Sequence, residues 1–477
     1  MPRHRWADPL SAGVCALALL LGGCASGSGG TPGTPNGGTG ASPGPSSPGP
    51  SELTAGPRGP TPAAPGDWTQ YHRDALRTGT VPDLPAAGAP ARTWAAHLDG
   101  AVYGQPLLVG GRVLAATENN TVYALDPSGG TVLWSRNLGA PARESELPCG
   151  NIDPLGITST PVYDPATGLL FVLAELAGGR HRLTGLDAAT GEVVVSRDAE
   201  PPVGDRTAHQ QRAALALWDG RVVIAYGGLY GDCGDYRGTV LSVPATGAGE
   251  IRAYTVPTGR EGGIWASGGP VVDGDRLLLS VGNGESTGGG HDGSDSVLSL
   301  TPELTRADFF APATWAEDNA ADLDLGSLAP VRVGPYVLAV GKRGTGYLLD
   351  AKNLGGIGGE KARADVCPAF GGAAVDGTTV YVPCEDGLVR LAVGADASLH
   401  VDWRLPLGRG GSPVVGGGAV WVLDWRAATL HTVDPASGRV LHTVDVGAKV
   451  PNFASPVLVG DQVLVGTADG VTAFRTR

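Results

Sequence analysis

Residues 269–281 read Gly269-Pro270-Val271-Val272-Asp273-Gly274-Asp275-Arg276-Leu277-Leu278-Leu279-Ser280-Val281, and this stretch decides the fold. A small residue and a proline introduce a short β-branched strand, Asp and Gly turn the chain, and a second apolar strand follows. The same unit appears as Gln105-Pro106-Leu107-Leu108 before 112–116, and as Thr160-Pro161-Val162 before 169–173. Later copies are Ala329-Pro330-Val331, Ser412-Pro413-Val414-Val415 and Ser455-Pro456-Val457-Leu458; copies without the proline sit at 213–217 and 371–375.

These eight units recur with a period near fifty residues. Each is followed by a third strand, and several then show an Asp-x-x-x-Gly turn into a fourth, at 126–130, 187–191 and 434–438. In such a turn Asp bonds the backbone ahead and Gly supplies the positive φ. Four short antiparallel strands per unit at this period describe a propeller blade, so the expected fold is an all-β, eight-bladed β-propeller over residues 67–477. Stacked sandwiches would not explain the constant turn chemistry. The last unit, 452–477, holds only three strands. The segment 92–98, with Trp94, is the expected fourth and closes the ring. The tract 67–80 is expected to lie across that junction.

The N-terminus differs in kind. Arg3, His4 and Arg5 precede an apolar run, 12–21, that is too short to span a bilayer and reads as a secretion signal over 1–23. Leu21-Gly22-Gly23-Cys24 resembles a bacterial lipobox, which makes Cys24 the expected lipidation site. Residues 25–66 are Gly, Pro, Ser and Thr with almost no large apolar residue, so 24–66 reads as a lipidated cysteine and a disordered tether. The expected place is outside the cytoplasm, with the membrane as a partner through the anchor. The formal charge of −13 excludes nucleic acid as a natural partner.

Cys149, Cys233, Cys367 and Cys384 remain once Cys15 and Cys24 are set aside, an even number suited to two disulfides. If Asp376-Gly377 forms a two-residue hairpin turn, position 375 pairs with 378 and 369 with 384, which brings Cys367 beside Cys384. Elimination then pairs Cys149 with Cys233. Without a Cys-x-x-Cys-His motif no covalent haem is expected.

Across 67–477 the chain resembles the pyrroloquinoline-quinone (PQQ) dependent alcohol dehydrogenase superfamily, and more closely its secreted lipoprotein members. The resemblance rests on Gly156-Ile157-Thr158-Ser159-Thr160-Pro161-Val162, Gly263-Ile264-Trp265-Ala266-Ser267-Gly268-Gly269, Val281-Gly282-Asn283-Gly284 and Gly341-Lys342-Arg343-Gly344. In the active enzymes PQQ lies on a tryptophan floor, calcium polarises its carbonyl and an aspartate is the base; the cofactor carries the hydride chemistry. The resemblance implies Trp265 as the floor, Lys342 as the cation on the quinone, Asp324 as the base and Asn283 as a calcium ligand. Asp324, and Asp232 or its neighbour Asp235 in place of the family's glutamate, complete the implied calcium set. The departures are Pro148-Cys149 where the family has paired cysteines, and Cys233 where it has that glutamate.

Two functions follow as expectations. One is a quinoprotein-like propeller that binds PQQ and calcium in a central funnel and oxidises an alcohol or sugar. The other is a monomeric, non-catalytic scaffold for a protein of the cell envelope, by analogy with the lipid-anchored propeller of the outer-membrane barrel-assembly machinery.

Overall fold

The computed structural model describes residues 64 and 66–476; Cys24, the leader and most of the tether lie outside the described residues. Eight four-stranded antiparallel blades stand in a ring. Blades 1 to 8 cover residues 107–137, 162–198, 216–255, 271–311, 331–365, 374–406, 414–445 and 457–476. In each, the first strand is short and buried while the fourth carries the exposed positions, as in Leu107–Val109 against Val132–Asn137. The first strands therefore line the axis, and the apolar core lies between successive blades.

The repeat chemistry explains the spacing of the blades. Asp126 accepts the Ser128 N–H at 2.8 Å, and Gly130 takes φ 71° to finish the turn. Trp94, on the outer strand of blade 8, lies flat against that glycine and donates its indole N–H to Pro127 O at 2.9 Å. A Cβ on Gly130 would come within 2.5 Å of the Trp94 ring, so only glycine allows the contact. Trp134 of blade 1 docks the same way on Gly191 of blade 2, and Trp403 of blade 6 on Gly438 of blade 7. Each turn is thus also the socket for the preceding blade.

Ring closure is as the sequence implies. Pro90–His97 pairs antiparallel with Gly470–Thr476, Trp94 facing Ala473, and completes blade 8. The tract 67–80 does not stay at that junction, however. It crosses the axis: Trp68 bridges Leu108 of blade 1, and Thr69 O accepts Tyr163 N of blade 2. Ala75, Thr78 and Gly79 then offer their carbonyls to Val272, Val375 and Val415 of blades 4, 6 and 7. Thr80–Val81 ends as a parallel strand against Val415 and Gly416. A wide ring leaves inner-strand N–H groups facing the axis, and this segment satisfies them.

Cys149–Cys233 and Cys367–Cys384 are bonded, with Cα atoms 5.9 and 5.7 Å apart, the mark of an oxidising compartment outside the cytoplasm. The second pair forms although the hairpin register differs from the expected one. Asp376 faces Thr379 and Val375 faces Val380, so the loop is Gly377-Thr378. An irregularity around Gly371 then restores the Ala369–Cys384 pairing. No helix among the described residues is long and apolar enough to cross a membrane.

Candidate functional site

Trp265, Asn283, Asp324 and Lys342 all come from the connections at one end of blades 3 to 5. Asn283 follows the second strand of blade 4, Arg276–Val281, and Lys342 the second strand of blade 5, Tyr336–Val340. Asp322 caps the helix Trp315–Ala321 in a left-handed conformation, and Asp324 precedes the 3-10 turn Leu325–Ser327. Gly282 is required here: a Cβ would lie 2.2 Å from Asp324 Oδ1.

The four side chains meet. Lys342 Nζ lies 2.5 Å from Asp324 Oδ2 and 2.8 Å from Asp322 Oδ1, and 5.7 Å from the centre of the Trp265 ring. Asn283 donates its backbone N–H to Asp324 Oδ1 at 2.6 Å and its side-chain amide to Asp322 Oδ1 at 2.7 Å. Asn283 Oδ1 is buried without a partner. Burial lowers the proton affinity of Lys342, but the charges of Asp324 and Asp322 outweigh it and raise the pKa overall, so the side chain stays an ammonium. Beneath the clamp, Asp295 is fully buried and accepts Leu325 N–H; burial, then the Asp324 charge, push its carboxyl well up.

Asp232 stands apart. It accepts the Tyr236 hydroxyl at 2.6 Å, and burial, with the nearby charges of Asp324 and Asp322, raises its pKa. The Cys149–Cys233 bond adjoins it and ties the 139–156 connection to this side of blade 3. His209 is structural: Nδ1 meets Asp205 O at 2.9 Å. The loop 285–294 is pinned by Asn319, which donates to Ser286 O, and by His291 stacked on Phe309.

Sequence reasoning missed several residues that fill the funnel. Phe370 and Phe453 stack in parallel 5.6 Å apart, and each ring lies 6.4 Å from Trp265. Trp425 packs edge-on to Phe453, and Arg212 lies over Phe453 and Tyr103. A signal existed: Trp265-Ala266-Ser267 and Phe453-Ala454-Ser455 place an aromatic at the same repeat position.

The family model described as outer membrane protein assembly factor BamB matches residues 78–289, which hold blades 1 to 3 and the start of blade 4. Among solved structures, quinohemoprotein alcohol dehydrogenase from Comamonas testosteroni is similar with TM-score 0.64 and 16% identity, over 86% of this chain and 80% of that one. BamB from Moraxella catarrhalis gives 0.56 and 14%, over 81% and 98%. What these proteins share with the chain is the propeller fold. A europium-containing methanol dehydrogenase matches with TM-score 0.66 and 15% identity, over 86% of this chain and 91% of that one. No curated protein matches the chain by sequence.

A PQQ-type propeller with calcium would need about six to eight oxygen ligands on the ion. Here Asp324 spends one oxygen on an N–H and the other on an ammonium, Asp322 Oδ1 serves Lys342 and Asn283 together, and Asp232 faces Tyr236. Asn283 Oδ1 and, beneath the clamp, Asp295 Oδ2 are buried without a partner, but among the described residues no three acidic, histidine or cysteine groups cluster as metal ligands. These residues do not fit calcium. A general base must also present an oxygen to the proton it takes, and both Asp324 oxygens are engaged.

Proposed function

We propose that the chain is a monomeric, lipid-anchored, extracytoplasmic propeller that binds a protein of the cell envelope and carries out no quinone chemistry in its funnel. The observation behind this reading is the lysine clamp: Lys342 sits 2.5 Å from the would-be base and 2.8 Å from Asp322, where a divalent ion would meet a fixed positive charge. Likeness over 98% of the Moraxella BamB chain supports a body built from the same blades. A second reading, quinone binding without calcium, has Trp265 and its lysine in its favour.

Purified mature chain titrated with PQQ, with and without calcium, is expected to show no saturable change in the cofactor's absorbance and no dye-linked alcohol oxidation. Micromolar uptake abolished by Trp265→Ala would overturn the scaffold reading and establish the second. Anchoring is tested separately. Wild-type chain is expected in the membrane fraction and Cys24→Ala in the soluble extracytoplasmic fraction; equal partition of the two excludes Cys24 as the anchor.

A further inference from the structure

The rim of the ring carries a groove far from the clamp. It is a cleft of about 330 Å³ that follows the closing strand, Pro90–His97, through the consecutive residues Arg92 to His97. Gly447 and Ala448 of blade 7, and Asp469 and Thr472 of blade 8, also line it. The closing strand is the last of its sheet and pairs only with Gly470–Thr476, so its other edge has no strand partner among the described residues. Such an edge leaves a row of N–H and C=O groups ready to pair with another chain. The cleft has room because its side chains are small. Ala95 faces Thr472 across the ladder, and a Cβ on Gly447 would run into the Arg92 guanidinium. The other eight-residue outer strand, Leu399–Pro406, carries His400, Asp402 and Arg404 at its exposed positions instead. Blade 4 shows what an outer edge of this ring accepts: Gly356–Ile357 adds there as a parallel strand beside Phe310 and Ala311.

The two ends of the groove differ in charge. Arg92 is exposed and makes no hydrogen bond or ion pair among the described residues. At the far end His97 Nδ1 meets Asp469 Oδ2 at 3.1 Å, and Asp469 Oδ1 accepts the Thr467 hydroxyl at 2.9 Å. The Asp469 side chain keeps 50% of its surface in water, so a cation can still reach it. Five steps along the strand separate Arg92 from His97, roughly 16 Å at about 3.3 Å per step. A compact molecule does not reach both ends, whereas an extended chain of five residues does. Main-chain bonds to the open edge then supply affinity, and side chains at fixed spacing supply selectivity. The guanidinium at one end selects a carboxylate, which it bonds in a fork.

We propose that the free edge of Pro90–His97 takes an extended segment of an envelope protein as a fifth strand of blade 8, a surface for the scaffold reading on which it rests. The segment sets an acidic side chain at Arg92, small or β-branched residues through the middle and a basic side chain at Asp469. Two fluorophore-tagged five-residue peptides probe it, both with a Thr-Val-Thr centre: one runs from lysine to glutamate, the other from glutamate to lysine. Antiparallel addition favours the first and parallel addition the second. Anisotropy with the full-length mature chain at low salt is expected to show one order binding about tenfold more tightly than the other. Arg92→Glu removes that preference and binds the same peptide better once its glutamate is changed to lysine. Ala95→Trp fills the groove and abolishes binding. Both positions are exposed, so both variants are expected to keep the wild-type Tm. Equal binding of the two orders, no binding at millimolar peptide, or binding indifferent to Arg92→Glu and Ala95→Trp overturns the groove. A wild-type dimer that Ala95→Trp dissolves overturns it as well, by giving the edge to a second copy. The scaffold reading fails separately: a chain that takes up PQQ loses that reading whatever the peptides do, and a chain that binds neither PQQ nor peptide loses only the groove.

Discussion

His181→Ala is expected to destabilise the propeller by about 3–5 kcal/mol, the cost of leaving a buried carboxylate without its cation. His181 is fully buried, with Nδ1 2.8 Å from Glu200 Oε2 and Nε2 3.7 Å from Glu175 Oε2. Glu175 is itself 1% exposed and anchors the Gln211 N–H at 2.7 Å. Burial works against the imidazolium, but the two carboxylates prevail and raise its pKa to about 9. The contribution is therefore fully present below the ordinary histidine pKa of about 6.5, and is lost as pH rises through about 9. Urea denaturation at pH 6 and pH 9.5 should show wild type losing about 3 kcal/mol across that window through this group, and His181→Ala lacking the loss. Parallel pH dependence in the two proteins would place the histidine outside the ion pair.

Arg77→Ala is expected to cost a comparable amount, about 3–5 kcal/mol, since each buried acceptor left unmet costs about 1–3 kcal/mol. The guanidinium donates to Leu215 O at 2.9 Å, Tyr71 O at 3.0 Å, Gln70 Oε1 at 3.1 Å and Pro270 O at 3.2 Å, joining the axial segment to the approaches of blades 3 and 4. Arg77→Lys should recover little, because a single ammonium cannot span a fork of four acceptors. The checks are the denaturation midpoint and limited proteolysis, with new cleavage expected within 67–81. A wild-type midpoint with an intact segment would refute the assignment.

Local chemistry made the blades legible. The Pro-led strands and Asp-x-x-x-Gly turns state their own geometry, and all eight units became blades. The closing strand was legible because Trp94 belongs to the same repeat as Trp134. The gathering of Trp265, Asn283, Asp324 and Lys342 was expected from the family resemblance, and the structure brings the four side chains together. What the ring brings together without repeat logic stayed hidden. Asp322 turns toward Lys342 through a left-handed cap, Phe453 reaches the axis through a positive φ, and Arg212 meets Asn452 across 240 positions of sequence. The path of 67–80 was misread because its partners are backbone groups of many blades, which carry no residue signature.

The axial segment also fixes how the body responds to traction. A pull arriving from the residues before 64 does not peel one outer strand from the ring. It meets bonds to the inner strands of blades 1, 2, 4, 6 and 7 in succession, loaded together as shear. A propeller entered through its hub resists being unzipped from its rim.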